Sequence, residues 1–303
     1  MKVHLLNHFS ELDENVFDKN ESIFIIADSG GTKTDWCISS HSKSYFFTSQ
    51  SFHYSQLNNP DSIEFIQFLK LKFNSFPIFF YFFGAGYASE IAKEKMRAFL
   101  RPLITKTMLI ESDVLGAAIA CYGNKKGHIA IMGTGSVIAL VDHKKISNLS
   151  GGFGYLIGDE GSGYYFGKLL LKKYLLNQLS PKLMCFLNEK FKPISITLEK
   201  IHLDPKKILS ELSKELVNET EFKVEFDLIH KQNITAFFDL YLPKDATLKQ
   251  ISVIGSYGFF NQSIVKTCLE NLAWELNAII EKPIKQLSFE IVNESKKKII
   301  SPI

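Results

Sequence analysis

Residues Asp28–Asp35 read Asp-Ser-Gly-Gly-Thr-Lys-Thr-Asp and join two short strands through a glycine turn. The strand before the turn, Ser22–Asp28, is rich in Ile and Phe, and Thr34–Ser39 follows as the second strand. The same order returns about a hundred residues later, where Gly133–Ser136 follows the predicted strand His128–Met132. Two copies of one strand, turn and strand unit, in a chain that also contains helical segments, predict a duplicated α/β fold with a cleft between its halves.

The rest of the chain alternates between apolar segments of helical and of strand character. Residues 1–21 are polar and are predicted to be irregular. The pattern begins again at Ser112–Asp113, so we predict one domain over residues 1–112 and a second over residues 113–303. The other predicted strands are Ser44–Ser49, Pro77–Phe83, Thr107–Glu111, Val137–Asp142 and Ile251–Ile254, and the predicted helices are Ser62–Phe73, Ala88–Arg101, Val114–Cys121 and Gln262–Ile279.

The composition is that of a globular protein of about two domains. The 303 residues are 46% hydrophobic and 22% charged, which excludes a disordered chain. No apolar run reaches the ~20 residues of a membrane span, and the 35 basic and 32 acidic residues are scattered, so neither a membrane nor nucleic acid is an expected partner. The four cysteines lie far apart and no signal peptide is recognisable, which predicts reduced thiols, no structural zinc and a cytoplasmic protein.

The first glycine turn has the residue types of a phosphate-binding loop. Backbone N–H groups at Gly30 and Gly31 can point into one concavity. The side chains of Thr32 and Lys33 add donors for phosphate oxygens. Asp28, at the end of the first strand, could hold Mg²⁺ through water, because hard cations prefer oxygen ligands. The alternative is an ordinary hairpin with a Gly-Gly turn.

The second turn and a later glycine-rich segment are further candidates for ligand binding. Thr134 and Gly135 occupy the second turn, although this short motif alone fits a tight turn equally well. Residues 151–167 contain seven of the chain's 18 glycines, and this density indicates backbone that approaches a ligand closely. Asp159 and Glu160 supply the carboxylates of the segment, and its aromatic and aliphatic residues do not suit a flexible linker.

Two further motifs follow predicted strands. Asp113 begins a predicted helix at the domain boundary and is either an ordinary N-cap or a carboxylate that faces the cleft. Gly255 and Ser256 follow the strand Ile251–Ile254, and such small residues suit a flat ring that lies against the backbone. The sequence has no P-loop, Rossmann, α/β-hydrolase or zincin motif, so phosphate binding by paired hairpins is the mode that remains.

Five of these motifs occur in an order and spacing that resemble a known family. They are Ala27–Asp35, Ser112–Ala118, Gly133–Ser136, Gly151–Gly163 and Gly255–Ser256. In them the chain resembles the N-acetylglucosamine kinase and BadF/BadG-type ATPase family, within the actin and sugar-kinase superfamily. The resemblance implies two ribonuclease-H-like (actin-like ATPase) domains with a nucleotide cleft between them, and ATP with Mg²⁺ as cofactors.

The resemblance also implies roles for individual residues. Thr32 and Thr134 would lie at the phosphates, and Gly255–Ser256 near adenosine. The positions that match those touching the amino sugar in the family's sugar kinases are Ser136, Val137, Gly152 and Asp159.

Two positions depart from the family pattern. Where related sugar kinases carry Gly-Gly-Asp, this chain has Ala85-Gly86-Tyr87, and a tyrosine can orient a hydroxyl but accepts a proton poorly. His53 stands where the sugar-binding Asn of the family is expected. Asp113 is then the nearest matched acid, and we predict that it is the catalytic base.

These features predict an ATP-dependent kinase that phosphorylates a hydroxyl of an N-acetylated amino sugar, as N-acetylglucosamine kinases do. A second hypothesis is a nucleotide-binding switch whose sugar site has degenerated, because the Asn and the Asp of the family are both replaced. A third, a BadF-type ATPase with an iron–sulfur cluster between subunits, requires clustered cysteines, which this sequence lacks. The particular sugar and the oligomeric state stay open, with a homodimer among the alternatives.

Overall fold

A computed structural model describes residues 2–191 and 194–300 of the chain. Met1 and Ser301–Ile303, at the outer ends of the two predicted domains, lie outside the described residues. Two compact units divide the chain. The first comprises Met1–Lys125, His143–Lys145 and Pro283–Ile303, and the second comprises Lys126–Asp142 and Ile146–Lys282.

Both units contain strands and helices. The strands are β1 (Lys2–Leu5), β2 (Ile23–Ser29), β3 (Lys33–Ser39), β4 (Lys43–Gln50), β5 (Ile78–Gly84), β6 (Thr105–Ser112), β7 (Gly127–Met132), β8 (Ser136–Asp142), β9 (Lys145–Gly151), β10 (Gln250–Ile254) and β11 (Glu275–Ile280). The helices are α1 (Pro60–Phe73), α2 (Glu90–Leu100), α3 (Asp113–Tyr122), α4 (Gly163–Leu175), α5 (Pro181–Lys190), α6 (Ile194–Leu203), α7 (Pro205–Leu216), α8 (Lys223–Tyr241), α9 (Ser256–Phe260), α10 (Gln262–Asn271) and α11 (Ile284–Ile300). Within the described residues, none of these helices has the length and apolar character needed to cross a membrane.

Both units are built on a sheet with the same strand order. The sheet of the first unit runs β1-β4-β3-β2-β5-β6, and that of the second runs β11-β10-β7-β8-β9. In each sheet, three consecutive strands form a meander, and two later strands run parallel to the first strand of that meander. Apart from the edge strand β1, the two orders are identical, and the predicted duplication is confirmed.

The sheet of the first unit is buried on both faces. Successive side chains of a strand point to opposite faces, so Ile25 of β2 packs in the core that α1 and α2 cover, whereas Ile26 packs with α3 and α11. An aromatic cluster fills the first of these cores, where the rings of Trp36 and Phe65 pack at a centroid distance of 4.5 Å and an interplanar angle of 54°. Burial on both faces explains why strands such as β5 have continuous apolar sequences rather than alternating ones.

The domain boundary predicted at Ser112–Asp113 needs correction. Helix α3 belongs to the first unit, because Gly116 lies so close to Phe83 of β5 that a Cβ atom at Gly116 would be 2.7 Å from the Cβ atom of Phe83. The C-terminal helix α11 returns to the same face of that sheet, where Leu287 is fully buried. The sequence offers no local sign of this return, since it depends on packing between segments more than a hundred residues apart.

The second unit has a largely helical core over its sheet. Phe166 of α4 and Phe237 of α8 are fully buried together with Val253 of β10. Helices α4 and α7 cross at Gly167, where a Cβ atom would lie 2.1 Å from the carbonyl oxygen of Leu209. Only glycine permits this close crossing, so this glycine of the glycine-rich segment serves helix packing.

The first 21 residues are not wholly irregular. Strand β1 pairs in parallel with β4, with Lys2 opposite Lys43, and two short 3-10 turns follow at Phe9–Glu11 and Glu14–Val16. All four side chains of β1 are exposed, which is why the strand has no apolar pattern that the sequence could reveal.

The predicted helix Gln262–Ile279 is wrong in its second half. Helix α10 ends at Asn271, and Ala273 adopts the left-handed conformation with φ +57°. The chain then forms β11, which pairs in parallel with β10. Pairing with an existing sheet edge outweighs local helical periodicity here, as tertiary context commonly does.

Candidate functional site

The first glycine turn is a hairpin with an exposed tip. The N–H of Gly30 donates to the carbonyl oxygen of Lys33 over 2.9 Å, and the Ser51 hydroxyl donates to the carbonyl oxygen of Gly30 over 2.7 Å. Gly31 and Thr32 between them are exposed, and a Cβ atom at Gly31 would meet no atom within 4 Å. The base of the turn is therefore fixed while its tip is accessible to a ligand.

Two carboxylates face each other at the base of this hairpin. Asp28 of β2 lies directly opposite Asp35 of β3, so the two side chains share one face of the sheet. The Thr48 hydroxyl donates to Oδ1 of Asp35 over 2.6 Å. Oxygen donors of this kind suit Mg²⁺, and Asp35 is a partner for Asp28 that the sequence analysis missed. Residues 2–191 and 194–300 contain no group of three or more His, Cys, Asp or Glu side chains that could hold a metal.

The second glycine turn lies against the motif at Gly255. The N–H of Gly133 donates to the carbonyl oxygen of Gly135 over 3.0 Å, and Thr134 is half-buried at the tip. Gly255 has φ +114°, and a Cβ atom there would lie 2.6 Å from the carbonyl oxygen of Met132. Glycine is required for this approach, which brings Gly255 and the neighbouring Ser256 beside the turn.

The carboxylate of Asp159 also reaches the second turn. The N–H of Ser136 donates to Oδ1 of Asp159 over 3.2 Å, and a Cβ atom at Gly135 would lie 2.9 Å from the same oxygen. Asp159 is 3% exposed and has a left-handed backbone with φ +66°, which is costly for a residue other than glycine. Such strain persists only where the surrounding structure holds it, and it is typical of ligand-binding positions.

The charge of Asp159 is only partly compensated. Within the described part of the chain, Oδ2 of Asp159 accepts no hydrogen bond, and the Nζ atom of Lys206, from the first turn of α7, lies 3.8 Å away. Burial raises the pKa of the Asp159 carboxyl, while Lys206 and the N–H of Ser136 act against this shift. Lys206 is a second residue that the sequence analysis missed, because it lies far along the chain in a helix without a motif.

The remaining predicted substrate residues of the second unit are linked to Asp159 through Ser136. The Ser136 hydroxyl donates to the carbonyl oxygen of Glu160. Val137 packs against Gly152, where a Cβ atom would lie 3.2 Å from a methyl carbon of Val137. The structure therefore brings together Ser136, Val137, Gly152 and Asp159, the four residues matched to the sugar.

Glu160, the other carboxylate of the glycine-rich segment, is already engaged. The Tyr241 hydroxyl at the end of α8 donates to Oε2 of Glu160 over 2.8 Å, and burial followed by this bond raises the pKa of Tyr241 to about 12. The ring of Tyr241 also lies under Gly151, at 3.4 Å from where its Cβ atom would be. Tyr241 of α8 therefore contacts the glycine-rich segment at two points, Gly151 and Glu160.

Asp113 does not cap its helix. The N-cap of α3 is Ser112, whose side chain accepts the N–H of Leu115, and Asp113 is the first residue of the helix. Its Oδ1 accepts the N–H of Val114 over 3.0 Å, and the side chain is half-buried in the first unit. The N-cap alternative considered for Asp113 is therefore wrong, and its role as a base stays a prediction.

Tyr87 cannot orient a substrate hydroxyl. Its side chain is fully buried, packs 5.0 Å from the ring centroid of Phe82, and donates its hydroxyl to the carbonyl oxygen of Phe52 over 2.7 Å. Burial raises the pKa of Tyr87 above its ordinary value. The residue that stands at the family's Asp position is thus a core residue, which corrects the role that the sequence allowed for it.

His53 lies on the surface side of the same region. Its Nδ1 is 2.8 Å from the Ser55 hydroxyl, and its Nε2 would be 2.9 Å from a Cβ atom at Gly86. The ring is half-buried in the first unit. A contact between His53 and a sugar stays a prediction.

No protein-family model and no curated protein sequence matches the chain. Solved structures do match it. A candidate N-acetylglucosamine kinase from Porphyromonas gingivalis is similar over 90% of this chain and 99% of its own, with 23% identity and a TM-score of 0.76. A candidate N-acetylglucosamine kinase from Chromobacterium violaceum covers 90% of this chain and 100% of its own, with 15% identity and a TM-score of 0.68.

A more distant neighbour was solved with ligands. The ROK family glucokinase from Streptomyces griseus, in complex with glucose and AMPPNP, covers 91% of this chain and 99% of its own, with 13% identity and a TM-score of 0.50. Identities at this level establish the fold alone. The chain has a duplicated two-sheet α/β fold, and it is similar to the two candidate N-acetylglucosamine kinase structures over nine tenths of its length.

Proposed function

We propose that the protein is an ATP-dependent kinase that phosphorylates a hydroxyl of an N-acetylated amino sugar. The observation that carries this proposal is the convergence of two motifs, those of Gly255 and Asp159, on the second glycine turn. Gly255 packs against the residue before the turn, and Asp159 bonds to Ser136, the residue that directly follows it. A nucleotide and an acceptor hydroxyl bound at these motifs would meet at the same turn.

The nucleotide would be ATP with Mg²⁺. The exposed tip at Gly31 and Thr32 and the turn at Thr134 would donate to the phosphates, and Asp28 with Asp35 supplies oxygen donors for the ion. The glucokinase of the same fold was solved with an ATP analogue, which supports this choice. Magnesium would neutralise the charge that develops on the transferred phosphoryl group, and the turn amides would position it.

The acceptor would be held by Asp159. Its buried Oδ2, which accepts no hydrogen bond in the described part of the chain, offers a place for a sugar hydroxyl. Ser136 and Asp159 provide the polar side of the site, and Val137 against Gly152 provides a narrow apolar side. The similarity to two candidate N-acetylglucosamine kinases favours an amino sugar over other acceptors.

We assign the base to Asp113 of the first unit. The N–H of Val114 fixes the orientation of its carboxylate at the start of α3, and a carboxylate within ~3 Å of the reacting hydroxyl can take its proton. Tyr87, which stands at the family's Asp position, is buried and does not compete with Asp113 for the role of base. His53 is assigned a contact with the sugar, in place of the family's Asn.

The test is ADP release from ATP with and without a panel of sugars that contains N-acetylglucosamine, N-acetylmuramic acid and glucose. We expect release that depends on an N-acetylated amino sugar and that requires a roughly tenfold to hundredfold higher sugar concentration in Asp159→Asn. The matched control is Asp227→Asn, which removes an exposed carboxylate of α8 that pairs with Lys223. Hydrolysis that no sugar accelerates would contradict the kinase and support an ATPase.

The burial of Tyr87 supports one second candidate, a nucleotide-binding switch without kinase activity. A core tyrosine in place of the family's acid is what a degenerated acceptor site would contain. Binding of ATP without phosphorylation of any sugar would favour this candidate. An ATPase with an iron–sulfur cluster gains no support, since the described residues contain no cysteine cluster and Cys37, with its pKa raised to about 12 by burial, lies in a core.

A further inference from the structure

A fully buried asparagine on α8 joins two separate parts of the second unit. Asn233 is 0% exposed, and its Oδ1 accepts the N–H of Gly161 over 2.7 Å. Its Nδ2 donates to the carbonyl oxygen of Ser162 and to the hydroxyl of Tyr257, each over 2.9 Å. The side-chain amide therefore uses both of its N–H donors as well as its oxygen.

The Tyr257 hydroxyl continues the network. It is buried and lies 2.8 Å from Nδ1 of His230, which stacks on Phe166 at a ring-centroid distance of 4.0 Å. Burial lowers the pKa of His230 to about 4, so the ring is neutral near pH 7. In the tautomer that this network requires, Nδ1 of His230 accepts a hydrogen bond from the Tyr257 hydroxyl. The Tyr257 oxygen in turn accepts a hydrogen bond from Nδ2 of Asn233. Each group thus has one role, and the chain of bonds has one direction.

The network joins two of the motifs that are proposed to bind ligands, the glycine-rich segment of Asp159 and the motif at Gly255. Gly161 and Ser162 follow Asp159 and Glu160 in the chain, and Ser162 caps α4. Gly161 has φ +81°, and a Cβ atom there would lie 2.4 Å from the ring of Phe237, so the backbone is pressed against α8. Tyr257 directly follows Gly255 and Ser256. The network therefore connects the segment that carries Asp159 to the segment that carries the adenosine motif.

We propose that Asn233 and Tyr257 are positioning residues that hold these two segments in one arrangement, so that a ligand at either segment favours a ligand at the other. The ligands are the nucleotide and the amino sugar, and to that extent the inference rests on the proposed function. Thermodynamic linkage makes such coupling reciprocal: the factor by which sugar strengthens ATP binding equals the factor by which ATP strengthens sugar binding.

The test compares two tyrosine variants of the full chain. Tyr257→Phe removes the hydroxyl that Asn233 and His230 share and leaves the ring in place. The control, Tyr174→Phe, removes a hydroxyl that donates to Oδ1 of Asn188 over 2.8 Å in the same unit, outside both segments. Tyr257→Phe loses two buried hydrogen bonds and Tyr174→Phe loses one, so the control shows whether loss of a tyrosine hydroxyl elsewhere in the unit is enough to change exchange in the Asp159 segment.

The first measurement is hydrogen–deuterium exchange of Gly158–Gly163 in the ligand-free protein. We expect exchange in this segment to be faster in Tyr257→Phe and unchanged in Tyr174→Phe, because Asn233 protects the Gly161 N–H. The second is the affinity for ATP with and without N-acetylglucosamine. We expect the coupling factor to be roughly threefold to tenfold smaller in Tyr257→Phe, a change of the size that a single hydrogen bond contributes.

The outcomes separate this inference from the proposed function. Unchanged exchange in Tyr257→Phe, or equal acceleration in both variants, would overturn the positioning role whatever the protein binds. Faster exchange with an unchanged coupling factor would overturn the link between the ligands. Faster exchange in Tyr257→Phe alone supports the positioning role, and if the wild-type protein then binds neither ATP nor any amino sugar, it is the proposed function that fails.

Discussion

The Nζ atom of Lys206 lies 3.8 Å from Oδ2 of Asp159, beyond hydrogen-bond distance, so a 40% exposed cation only partly balances a carboxylate that is 3% exposed. A buried carboxylate oxygen without a hydrogen bond is unfavourable unless a ligand completes it. A ligand-binding residue is commonly less favourable for folding stability than its replacement would be. This arrangement leads to two predictions.

Asp159→Asn should stabilise the fold at pH 7 while it weakens sugar binding. Burial raises the pKa of Asp159 in the folded state. The carboxyl therefore makes its full contribution to folding stability below its unfolded pKa near 4, and this contribution is lost as the pH rises through the higher folded pKa. An asparagine does not ionise, so the variant does not lose stability in this way. We expect a higher Tm than wild type at pH 7, a difference that vanishes near pH 4, and a KM for sugar raised roughly tenfold to a hundredfold. A lower Tm at pH 7 would show that the carboxylate is structural.

Lys206→Met should shift the pH dependence of sugar use. The attraction of Lys206 lowers the pKa of Asp159, so its removal raises that pKa and protonates the carboxyl at higher pH. We expect the acidic limb of the kcat/KM profile for sugar to move to higher pH, with a larger loss at pH 6 than at pH 8. The control is Lys207→Met, which removes the exposed neighbouring lysine of α7. Equal profiles for both variants would rule out an electrostatic role for Lys206.

The difference between what the sequence predicted at this site and what it missed has a physical basis. The second glycine turn, Asp159 and Gly255 are short motifs in which local chemistry dictates the conformation, and the structure brings them together. Lys206 acts through a partner supplied by another segment, and nothing in its own neighbourhood marks it. Asp35 lies in the first glycine motif, but only the pairing of β2 with β3 places it opposite Asp28. Tyr87 carried a functional expectation because of its position in a motif, but whether a side chain points into a core or a site depends on the packed fold.

The fold shows the same division. Strands β2 and β5, whose side chains are buried on both faces, are evident as continuous apolar runs. Strand β1 exists only by pairing with β4, and β11 only by pairing with β10, and neither pairing has a local signal. The return of α11 to the first sheet is likewise a long-range event. Local patterns therefore predicted the duplicated core, whereas its edges and the unit boundary required the structure.

Magnesium ATP should raise the thermal stability of the protein. A ligand that binds only the folded state stabilises it by about 2.7 kcal/mol at a hundredfold excess over Kd. Thr134→Val should reduce this gain, since it removes a hydroxyl from the second turn. Thr267→Val, an exposed position on α10 whose hydroxyl donates to the Ser263 carbonyl, is the control. An unchanged melting temperature with millimolar Mg·ATP would contradict every nucleotide-dependent function considered above.

Tyr87→Phe should cost stability and spare activity. The change leaves the buried carbonyl oxygen of Phe52 without its donor, which destabilises by about 1–3 kcal/mol in denaturant unfolding. We expect kcat/KM for sugar to change less than twofold. Tyr87→Asp should unfold the first unit rather than restore a family-like base, because it buries a charge without a partner. A stable Tyr87→Asp variant with increased sugar phosphorylation would show that this position faces a site.

Asp113→Asn should lower kcat by roughly 10²–10⁴, the range expected when general-base assistance is lost, and leave the affinity for ATP almost unchanged. The substitution keeps the shape of the side chain and an oxygen that can accept the Val114 N–H, so the fold should persist. Asp61→Asn is the matched control, because Asp61 is an exposed carboxylate in the first turn of α1 in the same unit. Single-turnover kinetics separates an effect on kcat from an effect on ATP affinity, since a base acts on the chemical step alone.

If both variants kept full activity, the assignment to Asp113 would be wrong, and the proton would have to leave through Asp159 or water. If Asp113→Asn weakened ATP binding as strongly as it lowered kcat, Asp113 would act on the nucleotide or its magnesium ion instead of the sugar hydroxyl.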